Sequence, residues 1–489
     1  MKFIVKLFPE ITIKSRPVRK RMIGRLQTNI SIVTRRIDEE IKVKAYWDKI
    51  EVWFNGEDSD GDIKSAIVDA LSRMPGIAHF LEVDEYPLGS FEEVFQLTKA
   101  SYESRLAGKT FKVRVKRAGH HDFESPDLAR YIGGGLLEHT EAVGVNLKNP
   151  DVWVDVEVKH DKVFIVSNIV KGLGGYPLGT QPAVLSLISG GFDSIVASYM
   201  TMRRGCKTHF LFFNLGGAAH EIGVKQVSLY LWEKYGSSAR VKFISVPFDE
   251  VVGEIIQSVD NAHMGVILKR MMMRAAERVA PIAKAEALVT GESVAQVSSQ
   301  TLQNLQLIDQ VTEKLILRPL VVSDKQDIVN VAEEIGAADF AKAIPEYCGV
   351  ISDKPTTQAR PERIKEEEDN FDFEVLDRAL ERCEVISIDD IVKNVNAHAD
   401  VESLSKVEPH QVIVDIRAPH EQEKRPLNMP GCNILCVPFY KLGAELDSFD
   451  PEKEYLLYCE KGVMSQLQAS QAANQGRSNI KVFRPELDA

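Results

Sequence analysis

The residues best suited to chemistry form a short polar turn between two apolar runs. The stretch AVLSLISGGFDSIVASYM (183–200) reads as a buried strand, the turn Ser-Gly-Gly-Phe-Asp-Ser at 189–194, and the beginning of a helix. In such a turn several backbone N–H groups and the positive end of the helix dipole surround one concavity, which favours an anion. Gly190 and Gly191 let the backbone approach an oxyanion closely, and the two serines add hydroxyl donors.

Other polar residues are predicted to lie near this turn. Lys269 is in the helical stretch ILKRMMMRAAERVA (267–280), and Gly291 follows the predicted strand ALVT (287–290), with Gln300 shortly after it. Loops that follow the carboxyl ends of strands in an open α/β sheet form its usual ligand site. The sequence therefore predicts one anion site built from several loops.

A second candidate for chemistry is Cys459, in the stretch YLLYCEKGVMSQLQA (455–469). The cysteine ends a predicted strand and precedes a loop that enters a helix. Backbone amides of 460–465 around the sulfur, at a helix N-terminus, stabilise a thiolate and can equally stabilise a persulfide. We interpret Cys432 and Cys436, which precede an apolar Val-Pro-Phe stretch, as packing residues.

The pattern of predicted strands and helices that must position these residues changes at a Gly- and Pro-rich stretch, KGLGGYPLGTQP (171–182). We interpret this stretch as a domain boundary. Before it, alternating strands and helical stretches, such as the helix at 17–37, predict small α+β modules. After it, strands and helices alternate from 184 to 247, which predicts a parallel sheet covered on both faces. A polar connector at 394–407 precedes a last segment that begins with the strand QVIVDIR (411–417).

Composition limits the class of protein. The 489 residues carry a net charge of −11 with 44% hydrophobic residues, and six scattered cysteines form neither a disulfide framework nor a zinc pattern. Without a signal peptide or a membrane span, we expect a cytoplasmic protein whose functional cysteines act as thiols. Residues 1–50 nevertheless hold thirteen Lys and Arg against five Asp and Glu, which favours a local phosphate-binding surface as much as a solvated helix face.

The turn SGGFDS resembles the SGGxDS pyrophosphate loop of the N-type ATP pyrophosphatases, which cleave ATP between its α and β phosphates. With VSDKQDI (322–328), IPEYCGV (344–350) and YCEKGVMS (458–465), the chain resembles the bacterial tRNA 4-thiouridine synthases in their long form. The resemblance covers nearly the whole chain and implies a multidomain α/β fold. The implied domains are an N-terminal ferredoxin-like module (1–60), a THUMP domain (61–165), a doubly wound parallel-sheet ATP pyrophosphatase domain (176–393) and a rhodanese-like α/β domain (408–489).

The resemblance also implies a reaction and its participants. ATP with Mg²⁺ would adenylate the C4 oxygen of uridine 8, and Cys459 would carry sulfur received from a cysteine desulfurase. Cys348 would then form a transient disulfide with Cys459, while Asp193 would help to hold the magnesium pyrophosphate and Lys325 would neutralise developing charge. The residues expected to bind the nucleotide are Leu187, Ile188, Ser189, Gly190, Gly191, Asp193, Ser194, Lys269, Gly291 and Gln300.

Partners implied by the resemblance are tRNA, the desulfurase and a sulfur-carrier protein for thiamine thiazole synthesis, and a homodimer stays open. Two other functions are compatible with parts of the sequence. An ammonia-using synthetase with the same loop leaves Cys459 without a role. A non-catalytic RNA-binding protein with degenerate enzyme domains predicts the loss of Asp193 or Cys459, and both residues are present.

Overall fold

Within the residues that it describes, which are most of the chain, the computed structural model contains three β-sheets, of eight, six and five strands. The described residues are 1–56, 58, 61–215, 217–344, 354–391, 402–408, 410–417, 422–423, 425–438, 442, 445–459, 465, 468–469, 472–473 and 476–485. The chain divides into two compact units, residues 1–180 with 203–205 and residues 181–202 with 206–489. No helix within the described residues has the length and apolarity to cross a membrane.

The first unit is built on a mixed sheet of eight strands. Its strands are β1 (Lys2–Leu7), β2 (Lys42–Ala45), β3 (Lys49–Trp53), β4 (Ile77–Pro87), β5 (Thr110–Ala118), β6 (Gly144–Val145), β7 (Val152–Lys159) and β8 (Lys162–Gly174). Their order is β2-β3-β1-β4-β8-β7-β5-β6, and β5 pairs in parallel with both β6 and β7. Its helices are α1 (Pro9–Thr12), α2 (Arg16–Thr34), α3 (Asp62–Ser72), α4 (Phe91–Leu106) and α5 (Ser125–His139).

Alternation along the strands sends apolar residues to both faces of this sheet. On β1, Phe3 and Val5 join one core with the apolar stripe of α2, whereas Ile4 packs with Leu81 and Phe164 in a separate cluster. A second core under α4 and α5 covers β5 and β7. The helices therefore bury two adjacent cores, as expected for two small α+β modules that share one sheet.

The second unit begins with a six-stranded sheet that is parallel except at one edge. Its strands are β9 (Gln181–Leu187), β10 (Cys206–Asn214), β11 (Lys242–Pro247), β12 (Ala287–Val289), β13 (Leu315–Leu317) and β14 (Glu384–Ser387), in the order β13-β12-β9-β10-β11-β14. Its helices are α6 (Phe192–Arg203), α7 (Gly217–Leu231), α8 (Asp249–Ser258), α9 (Met264–Ala283), α10 (Leu302–Asp309), α11 (Lys325–Glu334), α12 (Ala338–Ala343), α13 (Pro361–Asp369) and α14 (Glu374–Glu381). One core contains the apolar faces of α8, α9 and α14, and another lies under α6 and α11.

The same unit ends in a five-stranded sheet whose strands all pair in parallel. The strands are β15 (Ser403–Leu404), β16 (Gln411–Asp415), β17 (Asn433–Cys436), β18 (Glu454–Tyr458) and β19 (Ile480–Phe483), in the order β15-β19-β18-β16-β17. Most of the predicted final helix, and most of the polar connector, lie outside the described residues.

The structure differs from the sequence-based expectation at several elements. The charged stretch at 362–382 predicts one helix, whereas the structure has two, α13 and α14, because the segment between them turns Phe371 into the core. Strand β14 pairs antiparallel to β11. Cys432 packs against the core of the last sheet as expected, but the prediction for Cys436 is wrong: it lies exposed on the edge strand β17.

Candidate active site

The polar turn joins the end of β9 to the start of α6. Strand β9 lies in the interior of the sheet, between β12 and β10, so the turn opens at the carboxyl edge where parallel sheets bind ligands. Ser194 closes the turn, since its Oγ accepts a hydrogen bond from the Ser189 N–H at 3.2 Å and donates to the Gly191 carbonyl at 3.1 Å. The predicted strand-turn-helix geometry is therefore present.

Two glycines permit close packing at the turn. Gly190 has a φ of +89°, in the left-handed region, and a Cβ there would lie 2.7 Å from the side chain of Ile344. Gly291, in the loop after β12, packs directly against the backbone of the polar turn. A Cβ at Gly291 would come within 2.5 Å of the Asp193 carbonyl carbon and 2.7 Å of the Ser194 nitrogen. Both positions accept glycine alone without displacing their neighbours.

A cavity of about 610 Å³ opens in front of the turn. Loops after β9, β10 and β12 and residues of α9 and α11 contribute to it. The predicted residues that line this cavity are Leu187, Ile188, Ser189, Asp193, Ser194, Lys269, Gly291, Gln300 and Lys325. Gly190 and Gly191 belong to the turn that bounds it. Cys348 lies outside the described residues.

Asp193 lies in the first turn of α6 with both carboxylate oxygens engaged. Its Oδ1 accepts from Lys325 Nζ at 2.7 Å, and its Oδ2 accepts from Gln296 Nε2 at 2.8 Å. The sequence predicts that Lys325 lies in a loop after a strand, but in the structure it is the first residue of α11. The Lys325 side chain is 46% exposed, so this ion pair is weak enough to exchange for a ligand.

Lys269 reaches the cavity from α9 and contacts a buried carboxylate. Its Nζ donates to Glu292 Oε1 at 2.7 Å, and Arg318 Nε donates to Glu292 Oε2 at 2.9 Å. Burial alone would raise the pKa of Glu292, but the charges of Lys269 and Arg318 outweigh it and hold the pKa below its ordinary value. Glu292 is therefore a buried anion held between two cations.

The cavity also has an apolar wall and an unpaired acceptor. Gln300 Oε1 is buried and has no hydrogen-bond partner among the described residues, so a donor on a ligand would satisfy it. Apolar side chains that line the cavity include Leu211, Phe213, Leu215, Met272 and Met273. The turn and the two lysines are suited to a polyanion. The apolar wall and Gln300 Oε1 are suited to a flat ring that carries a hydrogen-bond donor.

The sequence analysis did not identify the residues that form hydrogen bonds or ion pairs with the predicted site residues Asp193 and Lys269. Glu292 and Gln296 belong to the loop after β12 that the sequence singled out, yet neither was predicted to act in the site. Arg318 directly follows β13. Its position directly after the short apolar run Leu-Ile-Leu (315–317) is the one signal in the sequence that could have pointed to it.

Cys459 directly follows β18 at the carboxyl edge of the last sheet and is buried. Its Sγ accepts from the Ser465 N–H at 3.3 Å and lies 3.4 Å from Ser465 Oγ. In the turn after the neighbouring strand β16, Arg417 Nη2 donates to Asp415 Oδ2 at 2.6 Å, and both are buried. Because 460–464 are not described, the predicted ring of amides stays a prediction.

The first unit carries exposed cations on two elements. On and just before α2 the exposed cations are Lys14, Arg16, Lys20, Arg21 and Arg25. On β5, Lys112 Nζ lies 5.0 Å and Arg114 Cζ 4.8 Å from the ring centre of Trp153, an exposed residue of β7. Cations beside an exposed aromatic ring are typical of surfaces that contact nucleic acid.

Comparison with known proteins identifies the family. The chain is 53% identical to the tRNA sulfurtransferase of Shewanella sediminis over 99% of its length and 100% of that protein's. It is 52% identical to the tRNA sulfurtransferase of Pseudomonas putida over the same shares. The chain belongs to the tRNA sulfurtransferase family. The resemblance noted in the sequence is thereby confirmed, and the protein is an enzyme.

Family models and a solved structure agree with this membership. A ferredoxin-like domain model matches residues 2–80, a THUMP domain model 89–168, and the model described as thiamine biosynthesis protein (ThiI) 179–373. A 4-thiouridine synthetase crystallised with RNA and bound ATP superposes with a TM-score of 0.70 at 28% identity, covering 79% of this chain and 99% of that one. These matches confirm the ferredoxin-like, THUMP and central parallel-sheet parts of the predicted fold class of this sulfurtransferase.

Proposed function

We propose that this enzyme uses ATP to transfer persulfide sulfur to uridine 8 of tRNA, giving 4-thiouridine. The observation that carries the proposal is that the polar turn, Lys269 and Lys325 converge on one cavity in a member of the tRNA sulfurtransferase family. The related 4-thiouridine synthetase holds ATP and RNA, which supports ATP and tRNA as the substrates here.

The cavity suits ATP in size and chemistry. Its volume of about 610 Å³ falls within the usual range of small-molecule sites. Backbone N–H groups of the turn and the two ammonium groups suit a polyphosphate, the apolar wall suits the base, and Gln300 Oε1 would accept from an exocyclic amine. Mg²⁺ would be held by phosphate oxygens together with Asp193, once that carboxylate parts from Lys325.

The first step creates a leaving group on the uracil ring. The C4 oxygen of uridine 8 attacks the α-phosphorus of ATP, pyrophosphate departs, and the oxygen becomes part of an AMP ester. Lys269 and Lys325 neutralise negative charge that builds up on the phosphates during this displacement. Asp193 would hold the departing pyrophosphate and its Mg²⁺ at the turn.

The second step replaces oxygen by sulfur. A cysteine desulfurase loads Cys459 as a persulfide, whose terminal sulfur attacks C4 of the adenylated uridine, and AMP leaves with the oxygen. The thiolate of Cys348 then attacks the Cys459 sulfur of the resulting C4–S–S bond. This attack releases 4-thiouridine and forms a Cys348–Cys459 disulfide, which a dithiol reductant reopens.

Other assignments complete the proposal. The parallel five-stranded sheet with Cys459 at its carboxyl edge supports a rhodanese domain at 408–489, and we keep the predicted limits 1–60, 61–165 and 176–393 for the other domains. The cations on α2 and β5 of the first unit would bind the phosphates of the tRNA. The enzyme would act in the cytoplasm. The match to a thiamine biosynthesis model supports a second role, in which the enzyme passes sulfur to a carrier protein.

The deciding experiment is mass spectrometry of tRNA nucleosides after incubation with the enzyme, ATP, a desulfurase and cysteine. We expect 4-thiouridine at position 8, and none when ATP or the desulfurase is omitted. A control tRNA with cytidine at position 8 should remain unmodified. Full binding of tRNA without any thiolation under these conditions would refute the proposal.

A further inference from the structure

A chain of four alternating charges runs from the cavity through the buried Glu292 and Arg318 to Asp309, whose side chain is 40% exposed. Lys269 Nζ contacts Glu292 Oε1 at 2.7 Å, and Glu292 Oε2 contacts Arg318 Nε at 2.9 Å. Arg318 Nη1 in turn donates to Asp309 Oδ2 at 2.9 Å. The four residues come from α9, the loop after β12, the end of β13 and α10, so several elements must fold before the chain is complete.

We infer that Glu292 is the positioning residue for Lys269 in the ATP site. This inference rests on the proposed function, because it assumes that Lys269 meets the phosphates of ATP. A lysine side chain has four rotatable bonds, and fixing it costs conformational entropy. A buried carboxylate that holds one of its three N–H donors fixes the ammonium group in advance and leaves two donors for a ligand.

Exposure along the chain supports this direction of action. The Lys269 side chain is 21% exposed where it lines the cavity, whereas that of Glu292 is 7% and that of Arg318 is 12% exposed. Arg318 thus holds Glu292 on the side away from the cavity, and Glu292 holds Lys269 on the side that faces the cavity. Arg318 keeps Glu292 charged, and Asp309 balances Arg318, so the set adds no net charge.

The contacts of Glu292 argue against its being a direct magnesium ligand. Its Oε1 accepts from Lys269, while its Oε2 accepts from both Arg318 and the Thr290 hydroxyl, the latter at 3.0 Å. A cation would have to approach between two bound cations, which repel it. Positioning of Lys269 is therefore the role that the geometry favours.

The test measures binding of α,β-methylene ATP by calorimetry, since this analogue is not cleaved between its α and β phosphates. Glu292→Gln keeps the shape but removes the charge that orients Lys269, and we expect the affinity to fall about tenfold, the scale of one charge-assisted hydrogen bond. Glu292→Asp restores the charge and should recover part of the loss. In a Lys269→Ala background, Glu292→Gln should cost less than about twofold, because its target is gone.

Glu368→Gln is the matched control. Glu368 is a carboxylate with a side chain 12% exposed that also binds a cation of α9, Arg270, at 2.7 Å, but it does not line the cavity. We expect it to lower the melting temperature without changing the affinity for the analogue. Equal losses from Glu292→Gln with and without Lys269, or an unchanged affinity, would overturn the inference. Absence of analogue binding in the unmodified enzyme would instead refute the proposed ATP site.

Discussion

At the scale of single residues, Asp193 is the carboxylate of the turn and contacts Lys325 and Gln296. We expect Asp193→Ala to lower pyrophosphate release from labelled ATP by about a hundredfold or more, because the variant lacks the carboxylate that we propose holds the magnesium pyrophosphate. The affinity for tRNA should change less than about twofold, since the exposed cations that would bind tRNA lie in the first unit.

The matched control for this change is Asp327→Ala, an exposed acid on the same helix as Lys325 that does not line the cavity. Its pyrophosphate release should stay normal. Normal release by the Asp193 variant would show that the turn does not hold pyrophosphate.

The two thiols are tested by labelled sulfur. We expect Cys459→Ala to accept no sulfur from the desulfurase, and Cys348→Ala to accept sulfur on Cys459 yet fail to turn over, because nothing resolves the C4–S–S bond. Single turnover of the unmodified enzyme without reductant should leave a Cys348–Cys459 peptide pair, detectable by mass spectrometry after digestion.

Replacement of Cys383 or Cys432 by Ala provides the control, since neither lines the cavity or has a proposed role in sulfur transfer, and both variants should turn over normally. Repeated turnover of Cys348→Ala at the normal rate would mean that this thiol takes no part in the relay.

At the scale of elements, the loop after β12 is packed against the start of α6 through Gly291. A methyl group there would meet the Asp193 carbonyl carbon at 2.5 Å, so Gly291→Ala must push the turn or the loop aside. We expect it to reduce the affinity for ATP at least tenfold and to destabilise the enzyme by about 1–3 kcal/mol, as overpacking does. Calorimetry and thermal unfolding measure the two effects.

Gly253→Ala is the matched glycine control, because a Cβ at this position in α8 meets no atom within 4 Å. Alanine has the higher helix propensity, so this variant should be as stable as the unmodified enzyme or more stable. If Gly291→Ala bound ATP normally and were equally stable, the close approach of Gly291 to the Asp193 backbone would not be needed for function.

At the scale of the whole molecule, tRNA binding and catalysis are expected to belong to different compact units. A fragment of residues 1–180, which nearly coincides with the first unit, should bind tRNA with an affinity that falls steeply with salt, because counterions are released from the phosphates. Electrophoretic mobility shifts at several salt concentrations measure this dependence.

Lys20→Glu with Arg21→Glu, both exposed on α2, should weaken the binding and lower the salt slope by about one for each lost phosphate contact. A fragment of residues 181–489 serves as the control and should bind weakly. If that fragment bound fully while the first bound nothing at low salt, the tRNA surface would lie in the second unit.

The sequence by itself determined those features whose cause is local. The turn at 189–194, its place between a strand and a helix, and the strand that precedes Cys459 follow from short-range patterns of apolar residues, glycine and hydroxyl side chains. The same patterns predicted α2 and the strand-helix alternation of the second unit. The resemblance to the family rested on motifs of this kind, which are short and contiguous.

Only the tertiary structure decided which distant residues meet. Glu292 and Arg318 are separated by 26 positions and Lys269 and Glu292 by 23, and their contact depends on the adjacency of β12 and β13 and on how α9 packs. The clash that requires glycine at 291 is likewise invisible in the sequence, since Asp193 lies on another element. The physical reason is that an ion pair or a close backbone approach depends on distance in space, whereas a sequence pattern reports only separation along the chain.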